Sequence, residues 1–93
     1  MLAIARALVT DPDIMLIDEP TEGLMPLLVE MIAEIIQSIN QAGVTVLLVE
    51  QNVEMALQIS QKAYVMDEGV IKYKGAAKEI EKNEEVQRKY LAI

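Results

Sequence analysis

The 93-residue sequence contains neither cysteine nor histidine. The lack of cysteine excludes disulfides and thiol nucleophiles, and the lack of both residue types excludes the usual zinc sites. Histidine is also the side chain that most often serves as a base near neutral pH. Metal binding or acid–base chemistry in this chain must therefore depend on carboxylates, amides and hydroxyls.

Basic residues are scarce in the first two thirds of the chain. Residues 1–61 carry one base, Arg6, against nine acids, whereas residues 62–93 carry seven bases and six acids. A nucleic-acid surface needs lysine and arginine to displace counterions, so the net charge of -7 argues against such a partner. The charges of alternating sign near the C-terminus are typical of solvated helix faces.

Aromatic residues make up only 3 % of the chain, and no hydrophobic run approaches the roughly 20 residues of a membrane span. Hydrophobic residues nevertheless make up 53 %, so the sequence predicts an aliphatic core rich in methionine. The length allows one small domain, residues 1–93. The apolar residues 2–8 include Arg6 and lack a cleavage site, so they predict a helix and not a signal peptide.

Strand and helix patterns alternate through the first half of the chain. The apolar run at 14–18 and the β-branched run at 44–49 predict two strands, both buried on both faces as in a parallel sheet. Between them, Pro26 suits the start of a helix and Gly43 suits its end. The helix has an apolar stripe at Leu28, Ile32, Ile35, Ile36 and Ile39. The pattern therefore predicts a βαβ unit and an α/β fold.

The second half of the chain is predicted to contain a β-hairpin. Residues 63–66 and 70–73 flank the turn sequence Asp67-Glu68-Gly69, and Gly75 is expected to break the second strand. Three further helices are predicted, over residues 53–61, 76–82 and 84–91.

Two adjacent carboxylates, Asp18 and Glu19, end the first predicted strand. Open α/β sheets place ligands at the carboxyl ends of their strands. A carboxylate near a phosphate-bound Mg²⁺ and a second beside a water are typical of nucleotide hydrolysis. An acidic pair after a strand is, by itself, equally typical of a solvated loop or a helix cap.

Taken in order, the segments of this chain resemble the C-terminal part of an ATP-binding-cassette (ABC) ATPase domain. Residues 2–8 resemble the helix after the signature loop, 14–19 the Walker B strand, and 20–26 the D-loop. Residues 47–52 resemble the switch segment, and 67–75 match a hairpin near the family's C-terminus. The resemblance covers the whole chain and implies a partial P-loop NTPase core with parallel strands, a C-terminal β-hairpin and flanking helices.

The sequences of residues 21–26 and 48–52 are most similar to those of the ATP-binding subunits of branched-chain amino acid importers. Urea importers are close neighbours in this respect. The resemblance implies an ATPase that pairs with a second ATP-binding subunit and drives permease subunits. Such a protein would be cytoplasmic and would reach the plasma membrane only through the permease.

The same resemblance implies ATP and Mg²⁺ as cofactors and gives roles to three residues. Asp18 would hold Mg²⁺ through water, and Glu19 would polarise the water that attacks the γ-phosphate. Gln51 stands where most ABC ATPases have a histidine that contacts the γ-phosphate; it can donate a hydrogen bond but carries no charge. A plain polar role for Gln51 is an equal alternative. Met25 replaces an aspartate found in many relatives, and packing is its favoured role.

No G-x-x-x-x-G-K-[ST] motif occurs in the sequence, so nothing in it is predicted to cradle a triphosphate. By the resemblance, the phosphate-binding loop, the Q-loop and the signature loop would precede Met1. Catalysis in this class depends on positioning and electrostatics at bound phosphates. We therefore expect a fragment of a longer protein or a truncated gene product, and a poor ATP binder without ATPase activity.

The resemblance also places the missing strand between residues 44–49 and 63–66. Exposed strand edges favour pairing with another chain. We therefore expect a homo-oligomer, strand swapping or rearranged pairing, unless the gap in the sheet closes.

Three other functions are left open. The chain could be a non-catalytic remnant that acts through association. A DNA-repair or chromosome-associated ABC ATPase shares the Asp-Glu pair, but the acidic composition makes it the least favoured. A metal-dependent hydrolase would need a second acidic group near Asp18 and Glu19, for which Glu50 is the nearest candidate. The favoured interpretation of Glu50 is a strand-end polar residue beside the nucleotide site.

Overall fold

The computed structural model describes residues 2–91 and divides the chain into two compact units, one up to Asn52 and one from Val53. The first unit contains a parallel strand pair with helices, and the second contains an antiparallel hairpin with helices. The predicted α/β class is therefore confirmed. Organisation as a single domain stays a prediction.

The first unit is a βαβ arrangement preceded by a helix. Strands β1 and β2 pair in parallel, with Ile14 opposite Thr45 and Asp18 opposite Val49. The crossover between them is the long helix α2, as predicted. The bounds of the four elements are α1 Leu2–Val9, β1 Ile14–Asp18, α2 Pro26–Gln41 and β2 Thr45–Val49.

Helix α2 begins and ends at the residues that the sequence indicates. Pro26 occupies the first turn, where its missing N–H costs no hydrogen bond. Gly43, with φ +105°, follows the helix and donates its N–H to the carbonyl of Asn40. The predicted apolar stripe is buried at Ile32, Ile36 and Ile39, whereas Leu28 at its N-terminal end is exposed. Helix α2 packs against β2.

The sheet of the first unit is buried on one face only. Met15 and Ile17 are buried, whereas Ile14 and Leu16, which point to the opposite face, are 62 % and 66 % exposed. The prediction of strands buried on both faces is therefore wrong. A continuous apolar run is typical of a strand covered on two sides, but in residues 2–91 only one side of β1 is covered.

The second unit surrounds its own small core. Its strands β3 and β4 pair antiparallel from Lys62 opposite Ala76 to Asp67 opposite Val70. Side chains from the hairpin and from the helices form the core, namely Leu57, Val65, Ala77, Ile80 and Val86. The elements are α3 Val53–Ile59, β3 Lys62–Asp67, β4 Val70–Ala76, α4 Ala77–Lys82, α5 Glu84–Val86 and a π-helical turn Gln87–Leu91.

Two details of β4 differ from the prediction. Gly75 does not break the strand but pairs with Ala63 inside it, and a Cβ there would lie 3.4 Å from the Glu79 carboxylate. Val65 opposes Tyr73 while Met66 opposes Ile71, so Lys72 is an extra residue and forms a bulge.

The last predicted helix, 84–91, is α-helical only for three residues before the wider π turn.

Each of the two sheets contains two strands, β1 with β2 and β3 with β4. The expected homo-oligomer is not tested by this pairing and stays a prediction. In the part of the chain that the structure describes, no helix combines the length and apolar character needed to cross a membrane.

The hairpin turn offers a test of local backbone preference. Glu68 and Gly69 have φ values of +51° and +76°, the positive pair of a type I′ turn, in which asparagine is favoured before glycine. Because the left-handed conformation costs an ordinary residue about 1–2 kcal/mol, we expect Glu68→Asn to raise the free energy of unfolding by up to about 1 kcal/mol. Urea unfolding measures this change. Glu68→Gln is the matched control, since it removes the charge without the turn preference; an equal gain in both variants would contradict the explanation.

Candidate functional site

The parallel register of the first unit brings the carboxyl ends of β1 and β2 to one edge. Asp18 lies opposite Val49, and the N–H of Glu19 donates a hydrogen bond to the Val49 carbonyl at 2.6 Å. Glu50 and Gln51 follow Val49 directly. The structure therefore places the predicted site residues Asp18, Glu19 and Gln51 at the same sheet edge.

The loop after β1 leaves the strand through an unusual backbone conformation at Glu19. Its φ of +47° lies in the left-handed region, which residues other than glycine rarely adopt and which is enriched at functional sites. Two turn hydrogen bonds follow: Glu22 N–H donates to the Glu19 carbonyl at 3.3 Å, and Leu24 N–H donates to the Thr21 carbonyl at 3.1 Å. The loop is thus folded back on itself and keeps Glu19 at the edge.

Negative charge is concentrated around Glu19. Partial burial raises the pKa of its carboxyl above the ordinary value of 4.5, and the neighbouring charges of Glu22, Asp18 and Glu50 raise this pKa further. A hydrogen bond with the Glu22 side chain acts in the same direction. Glu19 is half-buried, whereas Asp18 and Gln51 are exposed. The edge is therefore an acidic surface, and its charge contributes to the raised pKa of Glu19.

The carboxylate of Glu50 joins the two segments that form the edge. One of its oxygens, Oε2, accepts hydrogen bonds from the Thr21 hydroxyl at 2.8 Å and from the Thr21 N–H at 3.3 Å. The other oxygen, Oε1, accepts from the N–H groups of Gln51 and Asn52 at 3.0 and 3.2 Å. Thr21 is only 5 % exposed. We refer to these four hydrogen bonds as the Glu50–Thr21 clip.

The sequence predicts no role for Thr21, and it favours a strand-end polar role for Glu50 over that of a second metal-binding carboxylate. Because both Glu50 oxygens already accept two hydrogen bonds each, a metal at Glu50 would have to replace these donors. Glu50 is therefore a poor second metal ligand, which argues against a metal-dependent carboxylate hydrolase. Position 21 carried a weak signal: a threonine inside an acidic loop can bury its hydroxyl only against an acceptor.

The carboxylates at the edge suit a Mg²⁺ ion that also binds water and phosphate. They are too few for a metal ion bound by protein ligands alone. Within residues 2–91, no cluster of three or more acidic side chains could hold a metal ion. Mg²⁺ usually keeps several waters and binds one or two carboxylates together with phosphate oxygens. An exposed Asp18 beside Glu19 fits such a site and would hold the ion only in part.

Met25 does not pack as expected. It precedes the first turn of α2 and is 64 % exposed, so the favoured packing role is wrong for this chain. Its neighbours Leu24 and Leu27 are also exposed, at 38 % and 65 %. Glu22 is exposed, as expected of a loop residue.

Sequence comparison finds relatives among transport ATP-binding proteins. The chain is 43 % identical over 91 residues to the high-affinity branched-chain amino acid transport ATP-binding protein BraG of Pseudomonas aeruginosa, covering 98 % of this chain and 39 % of BraG. It is 37 % identical over 91 residues to the protein LivG of the same description from Salmonella typhimurium, covering 97 % of this chain and 36 % of LivG. The chain thus spans about two fifths of these relatives. No protein-family model matches the sequence.

Solved structures agree with the sequence relatives. The ABC transporter component cbiO1 from Clostridium perfringens, described as part of the complex cbiONQ, matches with a TM-score of 0.79 and 31 % identity, over 95 % of this chain and 36 % of cbiO1. A nucleotide-free ATP-binding cassette from an ABC transporter matches with a TM-score of 0.77 and 31 % identity, over 85 % of this chain and 32 % of the other. The predicted resemblance and the partial P-loop NTPase core are confirmed.

The crowding of carboxylates predicts a pH-dependent gain in stability for Glu19→Gln. Because the folded state raises the pKa of Glu19, it binds this proton more tightly than the unfolded state. The ionised Glu19 therefore destabilises the fold above its raised pKa, and the penalty disappears as the pH falls below 4.5. We expect a higher Tm for the variant at pH 7 and a difference that shrinks towards zero near pH 4.

Thermal unfolding at several pH values measures this difference. Glu30→Gln, a matched change on the exposed side of α2, is the control and should show no comparable pH-dependent gain. A lower Tm for Glu19→Gln at pH 7, or an equal gain at pH 4 and pH 7, would contradict the electrostatic explanation.

Proposed function

Because this chain is similar to transport ATP-binding proteins in sequence and to ABC ATPase domains in fold, we propose that it forms the hydrolytic part of an ABC ATPase nucleotide site. The complete subunit would couple ATP hydrolysis to the import of branched-chain amino acids. The observation that carries the proposal is the β1–β2 register, which sets Asp18 opposite Val49 and so brings Asp18, Glu19 and Gln51 to one edge.

In this proposal the three side chains have different tasks. Asp18, exposed at the end of β1, would hold Mg²⁺ through water. Glu19 would accept hydrogen bonds from the attacking water and orient it; its raised pKa brings it closer to the range in which a carboxylate is an effective base. Gln51 would donate a hydrogen bond to a γ-phosphate oxygen. Bound Mg²⁺ would neutralise charge on the phosphates.

The proposed site is incomplete within the 93 residues. The acidic edge would repel a triphosphate, and the sequence has no phosphate-binding loop whose N–H groups and lysine could offset this repulsion. We therefore propose that the chain alone binds Mg·ATP poorly and does not hydrolyse it. Activity would require a phosphate-binding loop supplied by another segment.

The proposed partners are those of a transporter subunit. A second ATP-binding subunit would close the nucleotide site, and permease subunits would hold the protein at the cytoplasmic side of the inner membrane. The names of the relatives support this arrangement, since BraG is a transport ATP-binding protein and cbiO1 is part of an ABC transporter complex.

A second candidate is a non-catalytic remnant that acts through self-association. The uncovered face of the first unit favours it, because Ile14, Leu16 and Leu47 are all more than half exposed there. Apolar surface of this kind is typical of interfaces. This candidate needs no nucleotide, which separates it from the first.

A chimera tests the first candidate directly. We would replace the matching segment of BraG with this chain and measure ATP hydrolysis by phosphate release. We expect the chimera to hydrolyse ATP and Glu19→Gln to lower kcat by about 10²-fold or more, since it removes the residue that positions and activates water. Asp18→Asn should cause a similar loss that excess Mg²⁺ partly restores.

Glu30→Gln is the matched control and should retain the activity of the parent chimera. Binding of ATP to the Glu19→Gln chimera should persist, because the proposed role of this residue lies in hydrolysis and not in binding. A Glu19→Gln chimera as active as its parent would contradict the proposed function, whereas an inactive parent chimera that still binds ATP would favour the remnant.

A further inference from the structure

The Glu50–Thr21 clip is a network of four hydrogen bonds in the first unit for which the proposed function gives no task. It joins residues 29 positions apart through the 2.8 Å hydrogen bond between the Thr21 hydroxyl and Glu50 Oε2. A carboxylate only accepts hydrogen bonds, and bonds to an ionised acceptor are stronger than neutral ones. The clip is therefore well suited to hold two loops at a fixed separation.

The clip acts on both loops that carry the proposed catalytic groups. Glu19 lies two residues before Thr21, and Gln51 lies directly after Glu50. Oε2 anchors the loop after β1, while Oε1 accepts the N–H groups of Gln51 and Asn52 and so fixes the backbone after β2. One side chain thus holds both loops directly after the ends of their strands.

Backbone hydrogen bonds alone would define the separation between the loop after β1 and the loop after β2 less well. The β1–β2 ladder ends at Asp18 and Val49, and the N–H of Glu19 adds one more bond to the Val49 carbonyl. Beyond this bond, the pairing between the two strands does not continue. The buried Thr21 hydroxyl extends the connection past the ladder, at the place where the catalytic groups lie.

We propose that Glu50 and Thr21 are positioning residues, which hold Glu19 and Gln51 at the separation needed to act on the same terminal phosphate. This inference rests on the proposed function. Neither residue contacts the nucleotide in this account. Their effect is therefore on kcat, through the alignment of the attacking water, and not on the affinity for ATP.

The test uses three variants in the BraG chimera. Thr21→Val keeps the shape of the side chain but removes the hydroxyl, Thr21→Ser keeps the hydroxyl, and Glu50→Gln keeps the size but replaces one acceptor oxygen by a donor. We expect Thr21→Val and Glu50→Gln to lower kcat by about 10- to 100-fold, the usual range for residues that orient a catalytic group. The KM for ATP should change by less than about threefold.

The Thr21→Ser variant should restore kcat to within about threefold of the parent, and Thr45→Val, an exposed threonine on β2, is the control. A Thr21→Val variant with parental kcat, whatever its Tm, would overturn the positioning role and leave the proposed function intact. A chimera in which Glu19→Gln retains full activity would overturn the proposed function, and the positioning role with it.

A measurement on the 93-residue chain tests the clip without any activity. The N–H groups of Thr21, Gln51 and Asn52 are donors to Glu50, so Glu50→Gln should speed their hydrogen exchange several-fold, while the Leu47 N–H in the β2 strand should exchange as before. Unchanged exchange at all three N–H groups would overturn the clip itself.

Discussion

The parallel pairing of β1 with β2 is the constraint on which the site depends. Its register sets Met15 and Ile17 on the covered face and places Asp18 opposite Val49. A slip of one residue would turn the two buried side chains outward and move Asp18 away from the switch-like segment. The burial of apolar side chains thus fixes the register and with it the position of the acidic edge, while the Glu50–Thr21 clip joins the two loops that follow the strands.

The charge of the edge is the reason why the proposed nucleotide site would need other segments. Four carboxylates, those of Asp18, Glu19, Glu22 and Glu50, lie near one another, while residues 1–61 contain one basic side chain. An edge of this kind favours a divalent cation and disfavours a free phosphate. We infer that nucleotide binds there only when Mg²⁺ and a positively charged phosphate cradle compensate the carboxylates.

Much of the fold could be predicted because local signals at element ends agree with the apolar periodicity. Pro26 and Gly43 mark α2, and Asp67-Glu68-Gly69 marks the hairpin turn. The failures have physical causes. Whether both faces of β1 are buried depends on the elements that cover the sheet, and a run of apolar residues cannot specify these. Gly75 fits an extended strand as well as it fits a break.

The candidate site was predictable only in part, for a different reason. The positions of Asp18, Glu19 and Gln51 follow from strand ends, which the sequence indicates. The Glu50–Thr21 clip follows from the register together with the left-handed turn at Glu19, and no spacing rule links positions 21 and 50. Side-chain pairs between loops become visible only when the backbone is known.

The most direct test of the account is a calorimetric titration of Mg·ATP into the purified 93-residue chain. We infer that the edge is part of a nucleotide site whose phosphate cradle is supplied by another segment. We expect no measurable heat of binding at micromolar to low millimolar ATP, for the parent and for Glu19→Gln alike. Micromolar binding would contradict this inference, because a complete site would then have to form within this chain or between its copies.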